Sequence, residues 1–252
     1  MYVGKSSIVA LLLLAAGGAH AACSFGPSGT EPSLQSVFDT VLGSDVLDAK
    51  HDCVSSKGDR VWSAPAEAVA TIVIELAGYA SKNQFGIYQP GDRRNRITLF
   101  DGADAGGANS TVRFDSIENG FRISVDGADR GEIRGKDFGF FLASPGNVFY
   151  SDPKQNRDHG DHMYTYAGTG TPFVGGPLAG QNFATTMYLL AFEDLPFCRN
   201  PRDFQDFVAL VNFVAPVPLP ATGFLLGAAL GLLALWRSMQ ERNRPVIQLT
   251  SV

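Results

Sequence analysis

Two acidic clusters in the second half of the chain hold the side chains best able to do chemistry. The first, the loop cluster, is a turn-rich segment with four oxygen-bearing side chains: Asp152, Asn156, Asp158 and Asp161. Carboxylate and amide oxygens are the ligands that hard cations such as Ca²⁺ prefer, although the spacing does not follow the EF-hand order. The loop cluster is therefore either a calcium site or a solvated loop whose side chains cap their own turns.

The second group, the rim cluster, spans the end of one predicted strand and the start of the next. Its members are four carboxylates: Glu193, Asp194, Asp203 and Asp206. A hairpin would bring them to one rim, where they repel one another unless a cation or an arginine lies among them. Arg199 and Arg202 lie in the connecting segment. Bound metal and an arginine-neutralised hairpin therefore stand as equal interpretations.

Catalysis is the third chemistry that these segments could support. Asp158, His159, Asp161 and His162 could act as proton donors and acceptors or as zinc ligands. The two histidines are three residues apart in a loop, however, and do not share a helical face. The sequence holds no nucleophile elbow, Walker loop, H-E-x-x-H motif or Cys–His pair. We therefore expect a non-catalytic protein, with a glycan hydrolase as the least favoured function.

Short β-strands are the elements that must position these clusters. Apolar and polar residues alternate from Ala68 onward, and further runs rich in aromatic and β-branched residues follow at 85–88, 96–100, 110–114, 120–125, 138–142, 148–150, 163–166, 186–192 and 207–214. Turn residues such as Asp126-Gly127 separate these runs. The pattern predicts an all-β fold, a jelly-roll-like antiparallel β-sandwich over residues 67–215. No helical periods separate the strands, which argues against a doubly wound fold.

The segment before the predicted sandwich, residues 22–66, combines one apolar stretch with two cysteines. Apolar spacing from Leu34 fits one short helix or a loosely ordered segment. The chain has three cysteines, Cys23, Cys53 and Cys198, which allow three pairings with one thiol left over. We favour a disulfide between Cys23 and Cys53, which would tie the N-terminal segment to its first loop.

Both ends of the chain have the composition of targeting segments. Lys5 precedes an apolar run that ends in Ala19-His20-Ala21, which predicts a signal peptide over residues 1–21. At the other end, Val217-Pro218-Leu219-Pro220 precedes an apolar stretch at 221–236, which predicts a transmembrane helix. The basic residues Arg237, Arg242 and Arg244 follow it, and residues 246–252 form a short tail. Because positive charges stay in the cytoplasm, everything between the two segments should be translocated.

The C-terminal segment 216–245 resembles the PEP-CTERM protein-sorting signal in its VPLPA-type variant. The residues that carry the resemblance are Val217, Pro218, Leu219, Pro220 and Ala221, the apolar stretch and the three arginines. The resemblance implies an exosortase-like membrane protease as partner. It also implies a location that begins at the inner membrane, with the domain on the periplasmic side, and ends in the cell envelope or outside the cell after processing.

The exported region resembles an uncharacterised β-rich domain family common in bacterial proteins with PEP-CTERM tails. The stretches that carry this resemblance are 75–79, 85–88, 138–142, 149–162, 192–195 and 203–208. No activity is assigned to that family. The resemblance therefore implies location and fold rather than a mechanism.

The charge of the exported region limits its partners. Without the terminal segments, which hold Lys5, three arginines and Glu241, the chain keeps 16 basic and 24 acidic side chains, a net charge of −8. This balance argues against nucleic acid or anionic lipid as a partner and fits divalent cations or neutral glycans. We expect a non-catalytic envelope or matrix protein for which Ca²⁺ is a candidate cofactor. The alternative is an exopolysaccharide-binding or adhesion module, which needs an exposed aromatic platform formed by Tyr79, Tyr88, Tyr150, Tyr164 and Tyr166.

Overall fold

The computed structural model describes residues 23–26, 31–54, 58–64, 67–75, 80–197 and 202–217. Within these ranges the chain forms one α-helix, α1 (Leu34–Leu42), and thirteen β-strands. The strands are β1 (Trp62–Ser63), β2 (Glu67–Glu75), β3 (Gln84–Gln89), β4 (Asp92–Phe100), β5 (Asn109–Ile117), β6 (Gly120–Val125), β7 (Ala128–Arg134), β8 (Gly139–Ser144), β9 (Asn147–Tyr150), β10 (Met163–Ala167), β11 (Met187–Phe192), β12 (Phe207–Asn212) and β13 (Ala215–Pro216). Three short 3₁₀ turns lie at Ala80–Lys82, Pro153–Gln155 and Gly176–Leu178.

The strands form a seven-stranded sheet, a four-stranded sheet and one two-stranded pair. The order in the larger sheet is β10-β11-β12-β2-β5-β6-β7, and in the smaller sheet it is β4-β3-β8-β9. The pair joins β1 to β13. All of these pairings are antiparallel. The described residues therefore have the all-β, antiparallel fold that the alternating sequence pattern predicted.

One hydrophobic cluster takes side chains from both larger sheets. Phe85 and Phe140 of the smaller sheet are buried with Phe114, Leu190 and Phe207 of the larger sheet. Phe85 lies between them, with its ring centroid 4.9 Å from that of Phe207 and 5.7 Å from that of Phe140. Such offset and edge contacts stabilise beyond the area that they bury. The facing surfaces of the two sheets therefore form the main core.

The other face of the larger sheet is covered by α1 and the loops that follow β10. Helix α1 begins at Ser33, whose side chain accepts a hydrogen bond from the Ser36 N–H, and it ends at Gly43, whose φ is 92°. Phe38 of the helix packs on Tyr166 of β10, with ring centroids 4.7 Å apart. The sequence analysis divided residues 22–66 from the domain at 67–215. In the structure α1 belongs to a second hydrophobic cluster that includes strands β10, β11 and β12.

Strands β11 and β12 are buried on both faces because of these two layers. Leu190 and Phe192 belong to the core between the sheets, whereas Leu189 and Ala191 face the α1 side. All four side chains are fully buried. Because successive side chains enter one apolar layer and then the other, the sequence of such a strand is a continuous apolar run.

The strand β7 was missed by the sequence analysis because its side chains are charged and exposed. In β7 only Ile133 is buried. Asn95 of β4 donates a hydrogen bond from its side chain to the Glu132 carbonyl, and the Arg134 N–H donates one to the Gln89 side chain. These side-chain contacts join β7 to β3 and β4, so the edges of the two sheets meet here.

Both targeting segments lie outside the described residues. This applies to the predicted signal peptide, to the helix predicted at 221–236 and to the sorting residues from Pro218 to Arg244. Val217 is described, and its N–H donates a hydrogen bond to the Val61 carbonyl at 2.8 Å. Within the part of the chain that the structure describes, no helix is long and apolar enough to cross a membrane.

A disulfide joins Cys23 and Cys53. Their Cα atoms are 6.4 Å apart, and the Cys23 N–H also donates a hydrogen bond to the Lys50 carbonyl. Cys53 forms an isolated antiparallel bridge with Tyr166 of β10. The disulfide therefore ties the N-terminal segment that begins at Cys23 to the edge of the larger sheet. Cys198 lies outside the described residues.

Candidate metal centre

The antiparallel register of β11 and β12 brings the rim cluster together. Phe192 at the end of β11 is paired with Phe207 at the start of β12. Glu193 and Asp194 leave the first strand at the point where Asp206 enters the second. Between them Phe204 has a φ of 57° and a buried ring that stacks on Tyr164 at 4.0 Å. A bulky residue with positive φ is rare, and here ring packing holds the turn that leads into β12.

Three carboxylates of the rim cluster meet in the interior. Glu193, Asp194 and Asp206 are 0%, 2% and 4% exposed, and each offers an oxygen within 4.8 Å of the others. The Asp194 N–H donates a hydrogen bond to Asp206 Oδ2 at 2.9 Å. The N–H of Asp203, the fourth member, donates one to Glu193 Oε2 at 3.2 Å. Oxygens this close are within reach of a single hard cation, whose bond lengths to oxygen are about 2.3–2.6 Å for Ca²⁺.

The smaller sheet supplies the other wall of this centre. Asn83, which precedes β3, donates a hydrogen bond from Nδ2 to Asp194 Oδ2 at 3.1 Å. Ser144, at the end of β8, donates one to the Asp194 carbonyl at 2.7 Å. The Asn83 side chain is 2% exposed, and its Oδ1 has no hydrogen-bond partner. An amide that turns over by 180° would direct this oxygen toward the carboxylates, where it could bind a cation.

Burial makes ionisation of Asp194 and Asp206 unfavourable. Burial, together with the charges of Glu193 and Asp194, raises the pKa of Asp206 to about 9. Burial also raises the pKa of Asp194, against the opposing hydrogen bond from Asn83. Because its pKa is about 9, the Asp206 carboxyl holds a proton at neutral pH when no cation replaces it. A bound cation would release that proton and satisfy both groups.

The arginine-neutralised interpretation does not hold for Arg202. Its guanidinium lies over the Phe197 ring, 4.3 Å from the centroid. No lysine or arginine in the described ranges forms an ion pair with Asp194, Asp203 or Asp206. Arg199 lies outside those ranges.

Two more oxygens near the rim cluster are buried and lack hydrogen-bond partners. They are Asp203 Oδ1 and Gln205 Oε1. Gln205 is fully buried, and its Nε2 donates a hydrogen bond to Glu31 Oε2 at 3.1 Å. Sequence analysis missed Gln205 and Asn83 because an isolated amide carries no pattern. Only the position of Gln205 beside Asp206 could have drawn attention to it.

Most side chains of the loop cluster contact local groups and do not converge on one place. Asp152 caps the 3₁₀ turn at Pro153–Gln155 by accepting a hydrogen bond from the Lys154 N–H, and its Oδ1 lies 4.0 Å from Arg60 Nε. Asn156 is buried and bonds only to backbone: Oδ1 accepts from the Tyr150 N–H, and Nδ2 donates to the Tyr150 and Gly160 carbonyls. These two residues therefore fit the second interpretation of the loop cluster, in which the side chains support the local turns.

Asp158 is engaged with His162. His162 is fully buried between the rings of Phe149 and Phe197, with centroid distances of 4.0 and 4.1 Å. Its Nε2 lies 2.9 Å from Asp158 Oδ2. Burial lowers the pKa of His162, against the opposing effect of Asp158. The imidazole is therefore enclosed by the two rings, while the Asp158 side chain remains partly exposed.

Asp161 is the last member of the loop cluster. Both of its carboxylate oxygens are buried, and its charge acts on Asp59, which precedes β1. Asp59 was also missed by the sequence analysis, since a single aspartate in a polar segment resembles a surface residue. Asp161 lines a cleft of about 440 Å³ beside the disulfide, together with Asp158, Tyr164 and Phe197.

The tyrosines proposed as a glycan platform do not form one. Tyr88, Tyr150, Tyr164 and Tyr166 are all buried, and Tyr79 lies outside the described residues. Three of the four support the core through their rings, as the 4.8 Å edge contact between Tyr88 and Tyr150 and the packing of Tyr166 on Phe38 illustrate. Planar sugar stacking needs a free aromatic face, which these four residues do not present.

Comparison with known proteins returned no relative. No protein-family model, no curated protein and no solved structure matches this chain.

Proposed function

We propose that this chain is a non-catalytic, exported protein of the cell envelope or extracellular matrix whose fold is stabilised by Ca²⁺ at the rim cluster. One observation carries the proposal: three mutually close carboxylates are buried beside Asn83, and no described lysine or arginine pairs with Asp194 or Asp206. Such a group is destabilising in itself, since each charge has lost its hydration. A divalent cation bound among these carboxylates would make the group stabilising.

The donor set favours Ca²⁺ over other metals. It consists of carboxylate and amide oxygens, whereas Zn²⁺ sites are built from Cys and His ligands. His162 contributes no free nitrogen, because Nε2 faces Asp158 and Nδ1 faces the Glu193 carbonyl. Ca²⁺ tolerates irregular geometry with six to eight oxygens, whereas Mg²⁺ demands a compact octahedron and retains water. Asp203 and Gln205, which have buried oxygens without partners, are further candidates for that larger shell.

We place this function outside the cytoplasm. The disulfide between Cys23 and Cys53 supports that location, because such bonds persist in oxidising compartments. The signal peptide expected at 1–21 and the sorting segment at 216–245, with an exosortase-like protease as partner, remain part of the proposal. The two sheets share one core, which supports a β-sandwich of jelly-roll type as the exported body.

The alternative of exopolysaccharide binding has less support. In the cleft beside the disulfide, Phe197 is covered by His162 on one side and Arg202 on the other, and Tyr164 stacks on Phe204. These contacts occupy the aromatic faces that a sugar ring would need.

The test is a calcium titration of the full chain, purified in detergent and freed of metal with a chelator. At about one hundred times the dissociation constant, Ca²⁺ should stabilise by about 2.7 kcal/mol, a melting shift of roughly 5–10 °C. The double variant Asp194→Asn/Asp206→Asn should lose this shift, while Glu118→Gln, an exposed carboxylate in the turn between β5 and β6, should keep it. Absence of both heat and a melting shift at millimolar Ca²⁺ would refute the proposal.

A further inference from the structure

The segment at 202–206, which leads into β12, has contacts on two sides. On one side it belongs to the rim cluster, since the Asp203 N–H donates a hydrogen bond to Glu193 Oε2 at 3.2 Å. Asp206 Oδ2 accepts a hydrogen bond from the Asp194 N–H at 2.9 Å. Each of the remaining three residues of the segment has a contact with the N-terminal part of the chain.

The N-terminal arm, defined as the described residues 23–26 and 31–33, lies on this second side. Its Gly26 N–H donates a hydrogen bond to the Arg202 carbonyl at 2.9 Å. The disulfide fixes the start of the arm, since Cys23 is its first residue. The arm is therefore attached to the edge of the larger sheet and, a few residues later, to the segment that carries two of the rim carboxylates.

The arm also packs on the strained turn of this segment. Phe204 has a φ of 57°, a conformation that a bulky residue adopts only when its surroundings hold it there. The Phe25 ring of the arm lies 5.6 Å from the Phe204 ring and 5.5 Å from the Tyr164 ring. The Ser24 N–H donates a hydrogen bond to the Tyr164 hydroxyl at 2.9 Å. The arm thus helps to hold the turn that places Asp203 beside Glu193.

Glu31 determines the orientation of a buried amide next to the rim cluster. Its Oε2 accepts a hydrogen bond from Gln205 Nε2 at 3.1 Å. Because a carboxylate can only accept, this bond fixes the amide with its oxygen turned away from Glu31. That oxygen, Gln205 Oε1, is buried and has no hydrogen-bond partner among the described residues, so it is available to a cation. After burial, the Glu31 charge also contributes to the raised pKa of Asp194, which indicates that the arm lies close to the rim cluster.

We propose that docking of the N-terminal arm and binding of Ca²⁺ at the rim cluster are coupled, with Glu31 as a positioning residue that acts through Gln205. This inference rests on the proposed function, because it concerns the same site. Coupling is reciprocal, so the ion holds the arm in place by the same free energy by which the docked arm favours the ion. It follows that the site binds Ca²⁺ more tightly when the disulfide is intact, as it is in an oxidising compartment.

Calorimetric Ca²⁺ titration of the full chain in detergent measures the effect of the arm. Glu31→Ala and Phe25→Ala should each weaken binding by about fivefold, and Cys23→Ser by about tenfold, in the usual range of coupling between sites. Glu31→Gln keeps a side-chain oxygen that can accept from Gln205 Nε2, so it should weaken binding by no more than about twofold. The exposed Glu118→Ala is the matched control and should bind as the wild type does. Glu31→Ala and Phe25→Ala serve if Cys23→Ser does not fold.

Hydrogen exchange measures the reciprocal effect on the arm. In the wild type, saturating Ca²⁺ should slow exchange of the Ser24 and Gly26 amides by about fivefold. The double variant Asp194→Asn/Asp206→Asn should show no such slowing. A substitution that only destabilised the whole fold would speed exchange in β6 as well and would leave the Ca²⁺ affinity of the folded protein unchanged. Exchange in β6 should therefore be equal in wild type and Glu31→Ala.

The outcomes separate the coupling from the proposed function. If the wild type binds Ca²⁺ and Glu31→Ala, Phe25→Ala and Cys23→Ser bind it equally well, the coupling is overturned and the proposed function stands. Equal weakening by Glu31→Gln and Glu31→Ala overturns the positioning role, since the charge and not the bond to Gln205 would then matter. A wild type that binds no Ca²⁺ overturns both the proposed function and the coupling.

Discussion

The loop cluster and the rim cluster each contain four oxygen-bearing side chains, within segments of similar length. In the loop cluster, the Asn156 amide forms hydrogen bonds to backbone groups, Asp152 caps a turn and Asp158 bonds to His162. In the rim cluster, Asp206 accepts a hydrogen bond from the Asp194 N–H, and both carboxylates remain close to Glu193. Acidic composition therefore says little about metal binding. What separates the two is whether the oxygens are satisfied locally or left facing one another.

The largest contrast should appear in the pH dependence of stability without metal. Since the pKa of Asp206 is raised from 3.8 to about 9, its proton stabilises the fold fully below pH 3.8, and this stabilisation is lost as pH rises through 9. The free energy of unfolding of the chelated protein should therefore fall between pH 7 and 9, by up to about 1.4 kcal/mol per pH unit. Asp206→Asn should remove this slope, and saturating Ca²⁺ should flatten it.

Chemical unfolding at pH 7, 8 and 9, with chelator and with Ca²⁺, measures this slope. The loop-cluster variant Asp152→Asn is the control and should retain the wild-type slope. If the unfolding free energies of wild type and Asp206→Asn change equally with pH in chelator, the rim carboxylates do not share a proton.

An effect of comparable size concerns the amide at the centre of the loop cluster. Asn156→Ala removes three hydrogen bonds to backbone groups, two of them buried and one partly buried, and leaves those groups unsatisfied. We expect a loss of about 3 kcal/mol in unfolding free energy, with an unchanged number of bound Ca²⁺. Calorimetric melting and ion counting measure both quantities. The exposed Asn119→Ala should change neither, and a loss of Ca²⁺ in Asn156→Ala would reassign the loop cluster to metal binding.

A smaller effect should come from His162. Burial holds its pKa below the usual 6.5, so the neutral ring stabilises the fold above pH 6.5, and this contribution is lost as pH falls through the lowered value. The pKa of Asp158 is also lowered, because the hydrogen bonds from His162 and the Gly160 N–H outweigh its partial burial. Its contribution is lost at still lower pH.

The variant His162→Gln tests this acid sensitivity. The wild type should lose about 1 kcal/mol more than the variant between pH 7 and 5. Denaturant unfolding at the two pH values gives the difference. His51→Gln changes a surface histidine that is 69% exposed, and it should follow the wild type. If His162→Gln and wild type lose equal stability, the buried pair is not the acid-sensitive element.

The smallest expected effect is at Asn83. Asn83→Ala removes one neutral ligand and the bond to Asp194 but no charge. It should weaken Ca²⁺ binding by about three- to tenfold and leave one ion bound at the rim. A calorimetric titration beside Asn119→Ala measures this change. An unchanged affinity would exclude the Asn83 amide from the ion's ligands.

Much of the fold could be predicted from the sequence, since alternation of apolar residues is a local signal. Strand β6 follows it closely, with buried side chains at every second position. Strand β7 does not, because its exposed edge carries charges where alternation would require apolar side chains. The two-sided burial of β11 and β12 depends on α1, which is more than 140 residues distant in the chain.

The candidate site could be predicted only in part. Glu193, Asp194 and Asp206 were found because a hairpin turn brings their segments together over a short distance. Asn83 and Asp59 were not found, because the residues with which they interact lie more than 100 positions away in the chain. Composition cannot reveal which carboxylates turn inward, since that choice depends on where backbone N–H groups are available to satisfy the others.

The contact between β7 and β4 affects whether copies of this chain associate when their local concentration is high. An open sheet edge offers unpaired backbone groups to neighbouring molecules and can start polymerisation. Here side chains occupy backbone groups of β7, as Asn95 does at the Glu132 carbonyl and Gln89 at the Arg134 N–H, and charges line the rest of the strand. Copies crowded together on a surface would therefore stay separate at this edge.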